Sequence, residues 1–440
     1  MLTAFAALTL ASSAAACTLV GVGSKATMDG SALVGTTMDS MATPVDLRLV
    51  RVPAMNHSAG AQRAVYNDAL HHGYPRFVST ERGPGYLPLN GSNQTITTPL
   101  GYIPQVNSTY AYWDGDYGMQ NEVQLSIAES TCAARTVGYP LDMPNGRNLL
   151  SINELSRIAL ERCDTSRLGD DQFTIVPNTF VIRTLNLTDS ANYLASSNVS
   201  AHAYTQGWAS PEEPFDFTLA YGYDVYTPNK PLYSGRRMWR GYDMVAPSLH
   251  LDPDVGFHVR VPTYPLSVKP DTLMTPTSIM QYFSDYYENT TYDLAKGVAA
   301  GPFHDPARFG HAHRLDGNWE RSISIARTTH SIVLQTRPNM ADAIGGVAWT
   351  AAVDPDTGVL SIVVGGSSAP VEAFSLSSGF LLGFLCGTMS LSLVVAVVAL
   401  VSRVRQEVAS PKAPASVEEQ GESKSTNDEA VVVVEPVAVV

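Results

Sequence analysis

The chain has 440 residues, of which 45% are hydrophobic and 16% charged, and a formal net charge of −13. Such a chain can bury one large core or two medium ones. Its acidic balance and lack of a clustered Lys/Arg patch exclude nucleic acid as the expected partner, because phosphate contacts need such clusters. Four cysteines (Cys17, Cys132, Cys163 and Cys386) are too few for a disulfide-built scaffold, and 20 Tyr, 28 Pro and 33 Gly suit a strand- and loop-rich secreted protein.

Met1–Ala16 is an apolar, small-residue run ending Ala14-Ala15-Ala16, the small-x-small pattern that signal peptidase accepts. Cleavage there makes Cys17 the first residue of the mature chain. Its thiol then sits beside a free α-amine with a reference pKa of about 8, able to accept the thiol proton at neutral pH. One residue would supply both nucleophile and general base. An ordinary secreted protein whose first cysteine enters a disulfide is the alternative reading of the same string. A bacterial lipid-anchored cysteine fits less well, since it wants a larger aliphatic residue where Ala14 stands.

Next along the chain, Thr18–Gly23 reads as a short apolar strand and Ala32–Thr37 as a second, joined by a turn at Asp29-Gly30. A hairpin of this shape returns Asp39 to the amino end of the first strand. A carboxylate there could hold the α-ammonium of Cys17 by a charge-assisted hydrogen bond; an ordinary strand-end turn former is the plainer use. Asn121–Glu129 alternates like a strand. Ile152–Cys163 places Ile152, Leu155, Ile158, Ala159 and Cys163 on one helical face. Ile175–Arg183 is strand-like with an edge or bulge at Pro177. Ser322–Gln335 predicts two half-buried strands, and Gly345–Val364 a closing hairpin. Strands dominate with at least one solid helix, so the class is α+β and layered.

Competing chemistry is thin. The chain has no G-x-S-x-G, H-E-x-x-H or C-x-x-C string. His304, His311 and His313 fall close together in a Pro/Gly-rich loop, but no acidic or cysteine ligand accompanies them at a fixed helical spacing. His71-His72 reads as part of a packed loop. Cys132 and Cys163 could bridge in an oxidising lumen, and the sequence does not decide whether they meet.

Gly379–Val401 holds 23 residues without a charge, enough to cross a bilayer as a helix, and Arg403, Arg405 and Lys412 follow at once. Seven N-x-Ser/Thr asparagines (Asn56, Asn90, Asn93, Asn107, Asn186, Asn198 and Asn289) all precede that segment. The expected topology is type I single-pass, with a luminal or extracellular ectodomain over 17–370. The tail, 402–440, sets four Lys/Arg against seven Asp/Glu and has the composition of a disordered segment. Its apolar end, VVVVEPVAVV, is a solvated terminus or a short docking motif.

Several strings together resemble peptidase family C69, the dipeptidase A and secernin relatives. They are Cys17-Thr18 with Lys25–Ser31, YPRFVSTERGPGYLP (Tyr74–Pro88), GYIPQV (Gly101–Val106) and TYAYWDGDYGMQNEVQLSIAESTC (Thr109–Cys132). YSGRRMWRGYDMVAPS (Tyr233–Ser248), YPLSVKPD (Tyr264–Asp271), YDLAKGVAAGPFHDPAR (Tyr292–Arg308) and WERSISIARTTHSIVLQTR (Trp319–Arg337) follow in the same order. The resemblance implies an N-terminal-nucleophile αββα sandwich that hydrolyses dipeptides, or small peptides, without metal or organic cofactor. It matches Cys17 to the nucleophile and Asp39 to the acidic residue contacting its α-amine. More distant thiol relatives place an oxyanion-hole asparagine on a strand resembling Val176–Phe180, pointing to Asn178, and an active-site arginine in a stretch like Arg237–Arg240, pointing to Arg237. A turn-stabilising amide and a surface ion pair are the ordinary uses of those two residues.

The sequence departs from the family at three places. Thr36-Thr37 stands where many relatives have Arg-Asn. The stretch from Cys163 to Asp171 is much shorter than in the family, as if several strands and a helix were missing. After Val364 the family's last segment gives way to the linker and apolar run. Two readings follow: a membrane-tethered cysteine dipeptidase, or a catalytically inactive homologue serving as a glycosylated surface or binding protein.

Overall fold

Runs of β-branched and small residues build the centre of the molecule. In the computed structural model the described residues lie between 16 and 376, excepting 40–48, 69–74, 89, 116–117, 133, 136–149, 165–169, 190–194, 223–232, 256–263, 307–319, 326–327, 354–359 and 367–373. Residues 1–15, the apolar run 379–401 and residues 402–440 lie outside them. Among the described residues no helix is long and apolar enough to cross a membrane.

Strand β1 (Ala16–Val22) turns back through Gly30, at φ 75°, into β2 (Ala32–Asp39). The two pair antiparallel, with Ala16 opposite Asp39, Cys17 opposite Met38 and Val22 opposite Leu33. The predicted hairpin is therefore present, with β2 running on to Asp39 itself. Around it the described strands β11 (Phe173–Val176), β12 (Thr328–Thr336), β13 (Gly346–Val353), β14 (Leu360–Gly366) and β15 (Phe374–Leu376) complete an antiparallel sheet. Its order is β11-β1-β2-β12-β13-β14-β15. The closing hairpin expected after Gly345 is β13 with β14.

A second antiparallel sheet has the order β10-β9-β8-β3, from β3 (Val50–Val52), β8 (Tyr112–Asp114), β9 (Gly118–Asn121) and β10 (Ser126–Ala128). Two small pairs flank it: β4 (Met55–Asn56) with β7 (Ser108–Thr109), and β5 (Gln62–Val65) with β6 (Gly101–Pro104). Strands β9 and β10 touch β2, β12 and β13 of the large sheet, while helix α1 (Ile152–Arg162) touches β8, β9 and β10. Two short helices, α2 (Val199–Thr205) and α3 (Phe217–Tyr221), form a separate cluster through Val199, Ala203, Ala220 and Tyr221. Helix α4 (Gly235–Val245) packs on β11, and α5 (Pro276–Phe283) on β2 and β12.

Val20, Val22, Leu33, Phe173 and Ile175 join Met238 and Tyr242 of α4 and Ile279 and Tyr282 of α5 in the main core. Gly35 makes that approach possible, because a Cβ there would lie 3.0 Å from Ile279 Cγ2 and from the Phe283 ring. Thr18, whose hydroxyl meets α4, shares this face of β1. Strand side chains alternate, so Cys17 falls on the opposite face, toward the small sheet.

Four sequence expectations change in detail. Asn121–Glu129 is interrupted, because the Asn121 side chain accepts from the N–H groups of Val123 (3.2 Å) and Leu125 (2.8 Å) and makes a turn between β9 and β10. β11 stops at Val176: Pro177 has no N–H to continue a ladder, and Asn178 follows at φ 61°. In Ser322–Gln335, β12 begins only at Thr328 and Ile323 is already buried in the core. Helix α1 forms as expected, capped by Ser151 accepting from the Glu154 N–H at 3.1 Å, but a different face is buried. Glu154, Arg157, Leu160 and Glu161 are buried, whereas Ile152, Leu155, Ile158 and Ala159 are only half-buried. Arginines on β5 and its neighbouring loop supply the counter-charges that let this polar face turn inward.

The shortened stretch after Cys163 leads from α1 to β11, the edge strand of the described large sheet, and 165–169 lie outside the described residues.

Candidate active site

Cys17 is fully buried near the start of β1. Ala16 still precedes it here, so its nitrogen is an amide. Burial pushes the thiol up to about 12, with the nearby Asp39 and Glu129 carboxylates adding to the shift, while the backbone N–H groups of Thr131 and Asp39 reach the sulfur and partly oppose it. A thiol in that condition is neutral at physiological pH and needs a base beside it to become nucleophilic.

Asp39 is also fully buried and, by register, faces Ala16 across the hairpin. Its Oδ1 accepts from the Thr328 hydroxyl at 2.5 Å, and its Oδ2 takes a hydrogen bond from Nη2 of the buried Arg321. Thr36 and Thr37 are buried and used in backbone hydrogen bonding. Thr37 Oγ1 accepts from the Thr18 N–H at 3.1 Å, and the Thr36 hydroxyl donates to the Glu129 carbonyl at 2.8 Å.

Arg237 enters from α4 with its side chain inaccessible to solvent. Nη1 donates to the Cys17 carbonyl and Thr18 Oγ1, and Nη2 to the Pro177 carbonyl and Asn178 Oδ1, each at 2.9 Å. Nε donates to the Tyr233 carbonyl at 3.0 Å. Four of these contacts tie the head of β1 to the turn after β11, which a surface ion pair would not do. Burial, then the neighbouring Arg321, pull the Arg237 guanidinium down to about 10. The Tyr233 ring lies between the two guanidinium groups, 4.9 Å from Arg237 and 5.3 Å from Arg321.

Asn178 is half-buried at φ 61°, a left-handed conformation that asparagine adopts more readily than most residues. Its N–H donates to Ser130 Oγ at 3.2 Å and its Nδ2 to the Thr131 carbonyl at 2.7 Å. The structure therefore gathers Cys17, Asp39, Asn178 and Arg237 at one end of the β1–β2 hairpin. Thr131 is exposed and marks the side on which this site approaches the surface.

Sequence reasoning missed Arg321, Thr328 and Thr131. Arg321 lay inside the WERSISIARTTHSIVLQTR string, but nothing in its spacing connected it to Asp39. The other expected chemistry is dispersed. Cys17, Cys132 and Cys163 are all free; Cys132 packs against the main core and Cys163 against the cluster beneath α1. His304 is exposed, its Nδ1 3.2 Å from the Ala295 carbonyl, while His311, His313 and the His71-His72 pair lie outside the described residues. Among the described residues no group of His, Cys, Asp or Glu is arranged to hold a metal.

The chain is thus an α+β protein of antiparallel sheets, with a buried cysteine, carboxylate, amide and arginine at the head of one central hairpin. Residues 163–361, which include Asn178, Arg237 and Arg321, match the model of peptidase family C69. A probable dipeptidase of Salmonella dublin is 25% identical over 364 residues, covering 76% of this chain and 78% of that protein. Dipeptidase A of Lactobacillus helveticus is 24% identical over 363 residues (76% and 72%), and a probable dipeptidase of Latilactobacillus sakei 21% over 361 (76% and 71%). These matches bear out the resemblance to peptidase family C69.

Proposed function

We propose that the protein is a cysteine dipeptidase of the N-terminal-nucleophile type. The observation that carries this reading is the position of Cys17: it directly follows Ala16, the residue opposite Asp39 in the hairpin, and its carbonyl is held by Arg237. Removal of residues 1–16 turns that nitrogen into an α-amine. The amine takes the thiol proton, the sulfur attacks the dipeptide carbonyl, and the same proton passes to the departing amine. Water, deprotonated by the α-amine, then hydrolyses the thioester and frees the sulfur. Asp39 holds the amine in place and Arg237 fixes the backbone beside the sulfur. The Asn178 amide, withdrawn from the Thr131 carbonyl, is the side-chain donor offered to the oxyanion, alongside the Thr131 N–H.

The layering supports an αββα sandwich: α4 and α5 on one face of the large sheet, the small sheet on the other, and α1 beyond it. The names of the relatives support a dipeptide as substrate. The reading is tested by N-terminal sequencing of the mature protein together with an assay on unmodified dipeptides. A Cys17 terminus with hydrolysis supports it; a Cys17 terminus without any hydrolysis returns the inactive homologue.

The ectodomain is proposed to be luminal or extracellular and anchored by 379–401. All seven sequon asparagines are exposed, as glycan attachment requires. Peptide-N-glycosidase is expected to lower the apparent mass of the protein made in a eukaryotic secretory pathway, and protease added to sealed microsomes to remove only the tail. Loss of the ectodomain under that protease would reverse the topology.

A further inference from the structure

The ion pair between Arg321 and Asp39 has a role that depends on the proposed Cys17 mechanism. We propose that Arg321 is a positioning residue that holds the Asp39 carboxylate against the head of β1 and keeps the α-amine of mature Cys17 in its neutral, proton-accepting form. Asp39 alone would serve the mechanism poorly. A buried carboxylate next to an amine stabilises the ammonium form, raises its pKa, and so removes the base on which the thiol depends. A second cation sharing the carboxylate counters that effect.

The structure supplies this cation in a fixed place. Arg321 and Asp39 are both buried, Arg321 Nη2 meets Oδ2, and Thr328 holds Oδ1 from the other side at 2.5 Å. The carboxylate is therefore oriented without any contribution from the amine. Arg321 is itself braced, its carbonyl accepting from the Tyr287 hydroxyl and its guanidinium lying 5.3 Å from the Tyr233 ring. The charged and titratable groups around Cys17 come from every neighbouring element. They are Asp39 on β2, Arg237 on α4, Glu129 and Cys132 after β10, Arg321 before β12, and His330 on β12 opposite Met38. Both guanidinium groups act on Asp39 here, so its carboxylate does not act on the amine unopposed. Arg237 is committed to five carbonyl or side-chain acceptors other than Asp39, which leaves the hydrogen-bonded pairing of Asp39 to Arg321.

The sign follows directly. Without Arg321 the Asp39 charge favours the ammonium, and reactivity of the Cys17 thiol should require a higher pH. The readout is the pH dependence of Cys17 alkylation by iodoacetamide in the mature full-length chain, followed by mass on the N-terminal peptide. For Arg321→Met the midpoint should rise by about one pH unit, a roughly tenfold slower labelling below the midpoint. Arg321→Lys should recover most of the loss. In an Asp39→Asn background Arg321→Met should add a much smaller upward shift, because the charge it opposes is gone. An unmoved midpoint in Arg321→Met, or the same upward shift in the Asp39→Asn background, overturns the inference. Should Arg321→Met fail to accumulate as folded protein, Arg321→Gln decides: an upward shift supports the proposal and a wild-type midpoint overturns it. A mature chain that does not begin at Cys17 overturns this inference and the proposed mechanism together. A Cys17 terminus, with hydrolysis lost in Cys17→Ala and the Arg321→Met midpoint unmoved, overturns this inference alone.

Discussion

Cys17→Ala is expected to fold and be processed like the wild type while losing dipeptide hydrolysis by at least about a thousandfold, since the bond-forming atom is gone. Cys17→Ser should fall by at least about a hundredfold, because an alcohol is far harder than a thiol for an amine to deprotonate. Asp39→Asn should cost less, about tenfold, as it removes an orienting contact and makes no bond. A chain that retains Ala16 should be inactive: its Cys17 nitrogen is an amide, and burial with two carboxylates nearby holds the thiol up at about 12. The wild-type rate should rise with pH through the amine's titration, ordinarily near 8. Steady-state kinetics on the four altered proteins and the wild type check the set. Full activity with Ala16 retained would remove the amine from the mechanism, and an active, chelator-sensitive Cys17→Ala protein would move the chemistry to a metal.

The hairpin was legible in the sequence because its pattern is local: an apolar strand, an Asp-Gly turn and a second apolar strand leave little choice of register. That register alone carried Asp39 to the head of β1. Arg237 and Asn178 were reached through resemblance, because their partners come from distant segments. Arg237 bonds to Cys17 and Pro177, and no spacing rule connects positions so far apart. Arg321 was illegible for the same reason; its link to Asp39 exists only once β12 has paired with β2. The strand breaks at Asn121 and Pro177 show another limit. Side-chain capture of backbone N–H groups by Asn121, and a missing donor at Pro177, override an alternation that otherwise reads as continuous strand.

Helix α1 is the clearest case in which periodicity misled. Its apolar residues do recur on one face, yet Glu154, Arg157 and Glu161 are the side chains that go inward. Their inward position depends on charges contributed elsewhere. Arg63 on β5 makes a bidentate pair with Glu161, at 2.6 and 2.9 Å, and reaches Glu154 at 2.8 Å. Arg82 grips Glu154 with two nitrogens at 3.0 and 2.8 Å, and its guanidinium lies 5.0 Å from the Phe77 ring. A hydrophobic pattern scores each helix in isolation and cannot register partners of this kind.

Glu154→Gln should accordingly be the most damaging conservative change in the part of the molecule remote from Cys17. The carboxylate touches three guanidinium groups, of Arg63, Arg82 and Arg157, and all four side chains are buried. Asp68 and Asp114 engage Arg157 at 3.1 and 2.9 Å and Glu161 engages Arg63 at 2.9 Å, whereas Arg82 is paired with Glu154, so the substitution takes the carboxylate away from the buried Arg82 guanidinium. Breaking a buried ion pair from one side typically costs about 3–5 kcal/mol, most of it the penalty of the charge left behind. Urea unfolding should show a loss of that size, against about 1 kcal/mol for truncating the half-buried Ile158 to Ala. The pH dependence carries a second test. Burial alone would raise the Glu154 carboxyl, but Arg82, Arg157 and Arg63 hold it well below the usual carboxylate range. A carboxyl with a depressed folded pKa contributes stability that is complete above its unfolded value of about 4.3 and is lost as pH falls toward the folded one. Wild-type stability should therefore drop as the solution is acidified below that value, and the drop should be shallower in Glu154→Gln, which has no proton to take up there. A variant within 1 kcal/mol of wild type at neutral pH, with an equally steep acid limb, would mean that the arginines find other partners and that Glu154 does not organise the cluster.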